Sequence, residues 1–189
     1  MANIEQFGFS EYEVRSVGFK FAGGSSYSSA ACIGSCEETM NTRVTTKKCR
    51  GIVKKKKVKG TGDGTVKLSL HIPYEIYYQA YGMNNGLLDG GVRAYGSESV
   101  HEEFCMVMKV LDEDDKVKYK AYPRCVLETG INRKIENGAE EVAEVELEIS
   151  VMPDEYGYGM YEAIEEDMDK DIAETWMSSF TPALVIKQA

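Results

Sequence analysis

The sequence predicts a mainly β protein, a β-sandwich or barrel with a short flanking α-helix and a long basic arm projecting from it. Three observations lead there. Apolar residues recur at every second position in several separate stretches, only two segments have helical signals, and one long stretch is basic on both sides of its strands. The 189 residues are 43% hydrophobic and 28% charged with only four prolines, which excludes a disordered or collagen-like chain. A chain of this length buries roughly 70% of its unfolded surface on folding. A single domain over residues 1–189 is therefore expected, with residues 178–189 as a C-terminal tail.

Taken in order, Val17, Phe19 and Phe21 alternate into a first strand that stops at Gly23 and Gly24. The arm follows at residues 43–64 and is expected to close on the glycines of GTGDG, Gly60 to Gly64. Both of its faces are polar, so it cannot build a core, and it is expected to stand off the body as a hairpin or ordered loop. A leg of about ten residues at ~3.3 Å each reaches ~33 Å, enough to cross onto a neighbouring subunit. Val66, Leu68, Leu70 and Ile72 then alternate with Lys67, Ser69 and His71 in a second strand. Pro73 opens a helix of about two turns that ends at Gly82, with Glu75 in its first turn.

Phe104, Met106, Met108 and Val110 form the next apolar set, and the acidic turn Asp112-Glu113-Asp114-Asp115 returns it as a hairpin through Val117, Tyr119 and Ala121. Val145, Leu147, Ile149 and Val151 alternate with Glu144, Glu146, Glu148 and Ser150. Ile164, Met168, Ile172 and Met177 are spaced as one stripe of a helix between residues 161 and 177.

The net charge of −9 argues against non-specific nucleic-acid binding by the whole chain. It is an average over two opposite poles. Ten basic residues, Arg43, Lys47, Lys48, Arg50, Lys54, Lys55, Lys56, Lys57, Lys59 and Lys67, face the single acid Asp63 within residues 43–67. Fifteen acids face only Lys170 within residues 136–174. Such a pair of poles fits contact of the arm with nucleic acid or an acidic partner, a solvated surface, or complementarity between copies of one chain. Glu144, Glu146 and Glu148 repel one another on one strand face, which is tolerated where that face meets water or basic partners. They are candidates for the wall of a water-filled channel.

Little points to catalysis or metal, and no enzyme activity or cofactor is expected. The chain has two histidines, the residue type suited to acid-base chemistry near neutrality, and neither His71 nor His101 sits in a nucleophile or zinc motif. Cys32 and Cys36 lack the second pair that a zinc site needs, and five cysteines without a signal peptide are expected to be reduced thiols. GTGDG lacks the Lys-Ser/Thr of a phosphate loop, and DEDDK lacks the register of a calcium loop. No run reaches the ~20 apolar residues of a membrane span, so a soluble protein made in the cytosol is expected.

The runs LSLHIPYEIYYQAYGM, YKAYPRCVL and ENGAEEVAEVELEISVMPDEYGYGMYEAI, followed by Trp176, together resemble the major tail protein, or tail-tube protein, of long-tailed phages with non-contractile tails. The resemblance covers most of residues 10–185 as an order of features. It implies a β-sandwich or barrel of tail-tube type, six copies per ring, and rings stacked into a tube through which DNA leaves the capsid. It also implies an arm that contacts the adjacent ring, here the cations from Arg43 to Lys59. The expected partners are other copies of the chain, the tape-measure protein and the tail-end proteins. DNA is expected to pass Glu144, Glu146 and Glu148 without specific binding, and the location implied is the virion tail, assembled in the host cytoplasm.

Overall fold

The structure, a computed structural model, describes residues 8–83, 86–135, 137–138 and 140–187. The amino-terminal residues 1–7 and the last two residues of the expected tail lie outside it. Among the described residues, eight strands and two α-helices follow one another as β1 (Glu13–Phe21), β2 (Ser28–Ala30), β3 (Ile33–Cys49), β4 (Ile52–Leu70), α1 (Tyr74–Ala80), β5 (Phe104–Leu111), β6 (Val117–Leu127), β7 (Val145–Met152), β8 (Tyr161–Ile164) and α2 (Lys170–Ser179). The expected mainly β class is observed.

All strand pairs are antiparallel, in the order β2-β1-β5-β6-β7-β4-β3, and β8 adds to β6. β6 is the branch point of the sheet. Lys118 to Ala121 pair with β8, whereas Arg124 to Leu127 pair with β7. The sheet curls far enough for β1 and β3, with four strands between them in this order, to come into contact.

The alternation read from the sequence now has two insides. Val17, Phe19, Val66, Leu68, Met106, Met108, Leu147 and Ile149 point into the curl, where Ile76, Tyr77, Ala80 and Tyr81 of the α1 region join them. On the outside of β5 and β6, Val107, Tyr119 and Ala121 are covered by Trp176 and Phe180 at α2. Val107 and Met108 of β5, and Ala121 and Tyr122 of β6, are therefore buried on opposite faces of their strands, because both faces are covered.

Two expectations are corrected. The helix expected over residues 161–177 begins only at Lys170, and Tyr161–Ile164 is strand β8. Its Glu162 lies 3.8 Å from Lys118, and Tyr161 packs on Phe180, so an edge position on β6 satisfies residues whose spacing alone looked helical. The arm closes on Arg50 and Gly51, with φ of 50° and 80°, and not on GTGDG. Two residues of positive φ make the tight hairpin turn whose twist matches that of paired strands.

The acidic run does make the hairpin turn. Asp112 Oδ1 accepts the amides of Asp114 at 2.9 Å and Lys116 at 2.8 Å, so the first carboxylate is spent on the turn itself.

Candidate functional site

The arm is the distal part of one long hairpin, β3 and β4, whose proximal part belongs to the sheet. Every residue from Asn41 to Thr61 is exposed, whereas Gly64, Val66, Leu68 and Leu70 of the same strand are buried. The free legs run from Thr42 to Cys49 and from Ile52 to Gly60, so the arm reaches ~27 Å at ~3.3 Å per residue. Arg43, Lys47, Lys48, Arg50, Lys54, Lys55, Lys56, Lys57 and Lys59 all lie on it. Among the described residues none of these nine cations makes an ion pair, whereas Lys67, at the root, pairs with Glu148 at 3.6 Å. Cross-strand register sets Arg43 opposite Lys59 and Lys47 opposite Lys55. Like charges directly opposite each other disfavour the ribbon unless anions from elsewhere come between them.

GTGDG forms the root, where Gly62 and Gly64 serve close approach. Gly62 has φ +84°, and a β-carbon on Gly159 would fall 1.8 Å from the Gly62 carbonyl oxygen. The connection between β7 and β8 thus presses its backbone on β4 where the arm leaves the body. That connection is itself tied: Asp154 Oδ1 accepts the amides of Tyr156 and Tyr158 at 2.9 and 3.0 Å, and Tyr161 donates its hydroxyl to Asp154 Oδ2 at 2.5 Å. Substituting Gly159→Ala should lower stability by about 2 kcal/mol, as for other overpacked sites. Urea unfolding would measure that loss, and amide chemical shifts should move at Asn41 and Thr61 while those of β5 stay in place.

Glu146 and Glu148 lie on β7, and Glu144 immediately precedes it. Register puts Ser69 opposite Glu146 and Lys67 opposite Glu148, and β3 extends the second row with Glu37 beside Lys67. Glu144 accepts the Ser69 hydroxyl at 2.5 Å and lies over Gly34. Glu37, Glu146, Glu148 and Lys67 line a shallow depression of about 400 Å³ on the outer face of β3, β4 and β7, and Glu144 lies beyond it, beside Ser69.

A third group escaped the sequence reading. Lys120 is 2% exposed and reaches Glu11 at 2.8 Å and Glu38 at 2.7 Å, and Tyr122 donates its hydroxyl to Glu38. Glu11 precedes β1 and Glu38 lies on β3, so one ammonium ties together the two sides of the curl. Burial disfavours the Lys120 charge, but its hydrogen bonds to both carboxylates outweigh this and hold its pKa above the ordinary 10.5. Burial likewise opposes the Glu11 charge, yet hydrogen bonds from Lys120 and Lys118 bring its pKa below 4.5. Beside them burial and the Glu38 charge push the Cys36 thiol up to about 11, which leaves it a poor nucleophile at neutral pH.

The histidines have local roles. His101 Nδ1 is 2.7 Å from the Leu127 carbonyl oxygen, Nε2 is 3.0 Å from the Tyr95 hydroxyl, and its ring packs edge-on to Tyr81. His71 uses its backbone amide to meet the Cys32 carbonyl. Among the described residues no group of His, Cys, Asp or Glu is arranged to hold a metal ion, and no helix is long and apolar enough to cross a membrane.

No protein family model matches the chain, and no curated protein sequence matches it. Solved structures similar in fold include two from one assembly. One is a chain of the tube-terminating cap of the anti-feeding prophage, at 9% identity and a TM-score of 0.46, covering 87% of this chain and 99% of that one. The other is a chain of the anti-feeding prophage baseplate, at 12% identity and a TM-score of 0.48, covering 83% of this chain and 97% of that one.

Proposed function

We propose that this protein is a structural subunit of a phage or prophage tail, assembling with copies of itself into stacked rings whose bore passes DNA. The observation that carries the reading is the arm: nine cations that make no ion pair among the described residues, on a ribbon standing off a chain whose residues 96–189 have a net charge of −14. A basic projection and an acidic body in one chain favour head-to-tail contact, and a heterologous contact of that kind propagates rings and stacks. The sequence resemblance supplies the expectation of six copies per ring, with tape-measure and tail-end proteins as further partners. Glu144, Glu146 and Glu148, on the acidic outer face, are assigned to the bore. Carboxylates there repel phosphate over a Debye length of ~8 Å at physiological salt, so DNA slides without sticking.

The test is assembly of the purified protein, followed by electron microscopy and sedimentation, with Lys54, Lys55, Lys56 and Lys57 changed together to Glu. Rings or tubes are expected from the wild type. The charge-reversed protein should keep its circular dichroism and melting temperature but lose stacking. A wild type that stays monomeric at every concentration and salt overturns the reading. So does a salt-sensitive DNA shift that depends on these four lysines in a protein that never self-associates; that result would assign the arm to nucleic acid.

A further inference from the structure

We propose that the arm carries a second binding face, poor in charge and centred on the Val44 and Val58 pair, which is buried against another copy of this chain when the arm docks. This rests on the self-assembly proposed above and adds to it what charge alone does not give. The ladder from Thr42 opposite Gly60 to Lys47 opposite Lys55 is unbroken, so partners share a face and successive residues alternate. Arg43, Lys47, Lys55, Lys57 and Lys59 therefore fall on one face with Thr45. The other face holds Thr42, Val44, Thr46, Lys56, Val58 and Gly60. Five cations stand against one, although the sequence reads as basic throughout.

Val44 is 51% exposed and Val58 55%, even though they lie directly opposite each other, and Ile52 and Val53 at the tip are exposed as well. A ribbon of two strands with no covering layer is marginally stable in water. A layer laid on the valine face supplies the missing burial and leaves the cationic face free for carboxylates. A second copy fits both demands. It brings the acidic complement in its residues 96–189, and it offers apolar side chains in Leu87, Leu88, Val92 and Val100, exposed between α1 and β5. Duplex nucleic acid would engage the lysines and leave the valines wet.

The experiment compares the concentration needed for assembly across three proteins besides the wild type. The double variant Val44→Thr, Val58→Thr keeps β-branching and strand propensity while removing apolar surface. It should need about tenfold more protein to assemble, with unchanged melting of the unassembled chain. Thr46→Val, which extends the same face, should assemble at a lower concentration than wild type. Thr45→Val, on the cationic face, should not. If the double variant assembles at the wild-type concentration, or if Thr45→Val promotes assembly as strongly as Thr46→Val, the second face does not exist, although self-assembly itself stands. A wild type that never assembles removes both proposals.

Discussion

Replacing Trp176 by Ala should lower the free energy of unfolding by about 4 kcal/mol, the range found for large aromatic side chains deleted from cores. Trp176 is 2% exposed, stacks on Tyr119 with ring centroids 6.1 Å apart, and meets Phe180 at 4.5 Å. Its indole N–H also donates to the Lys120 carbonyl at 3.1 Å. The truncation thus opens a cavity under α2, bares Val107 and Ala121 on the outer sheet, and frees a buried carbonyl. Trp176→Phe retains an aromatic ring and loses the N–H, so a smaller cost is expected, of about 1 kcal/mol for the hydrogen bond with a further increment for volume. Since this is the chain's single tryptophan, unfolding of the three proteins is compared by circular dichroism in urea. Hydrogen exchange adds a sharper readout: α2 should lose protection in Trp176→Ala while β4 and β7 keep theirs. Equal loss throughout would mean that α2 is not a separable cover but part of the sheet's own cooperative unit.

Lys120→Ala is expected to cost about 3 kcal/mol, because removing one member of a buried ion pair strands the others. Glu38 would keep the Tyr122 hydroxyl and Glu11 would keep Lys118 at 3.1 Å, and both carboxylates are partly exposed. These remaining contacts put the cost at the low end of the usual range. Lys120→Met fills the same space without a charge, and should recover part of the loss. The dependence on pH has two limbs. Glu11 titrates below 4.5 in the folded chain, so its contribution is complete above that value and disappears as acid carries the pH down through the folded pKa. Lys120 titrates above 10.5, so its contribution is complete below that value and disappears as the pH rises through the folded pKa. Melting temperatures of Lys120→Met should accordingly fall less steeply than wild type at both ends. Parallel curves for the two proteins would show that these charges do not support the fold.

What the sequence made visible was whatever depends on neighbours along the chain. Alternation at Val66 to Leu70, at Phe104 to Val110 and at Val145 to Val151 marks strands, because a half-buried strand needs nothing more than period two. The turn after Leu111 was legible because Asp112 bonds to backbone two and four residues on. The arm's turn was hidden. Arg50 lies in a run of cations and takes a positive φ that Arg seldom adopts, whereas five residues rich in glycine stood nearby as a more obvious candidate. Of those glycines, Gly62 answers a contact with Gly157 and Gly159, almost a hundred residues away, which no local pattern announces. Lys120 was invisible for the same reason. A lysine on a strand reads as solvent-facing until Glu11 and Glu38 are known to close over it. Of the candidate site, the residues of the arm were legible, but the sorting of charge between the arm's faces needed the register.

The continuity of β4 from arm to core has a mechanical consequence. Whatever grips the arm and pulls along its length pulls on the strand that, from Gly64 to Leu70, is paired with seven residues of β7. Hydrogen bonds of an antiparallel ladder run across the strands. A lengthwise tug therefore loads them side by side and all at once, unlike a peeling force, which breaks them singly. The arm is anchored as a rope is by a cleat, and tension applied at its tip is spread through the middle of the sheet before any one contact must yield.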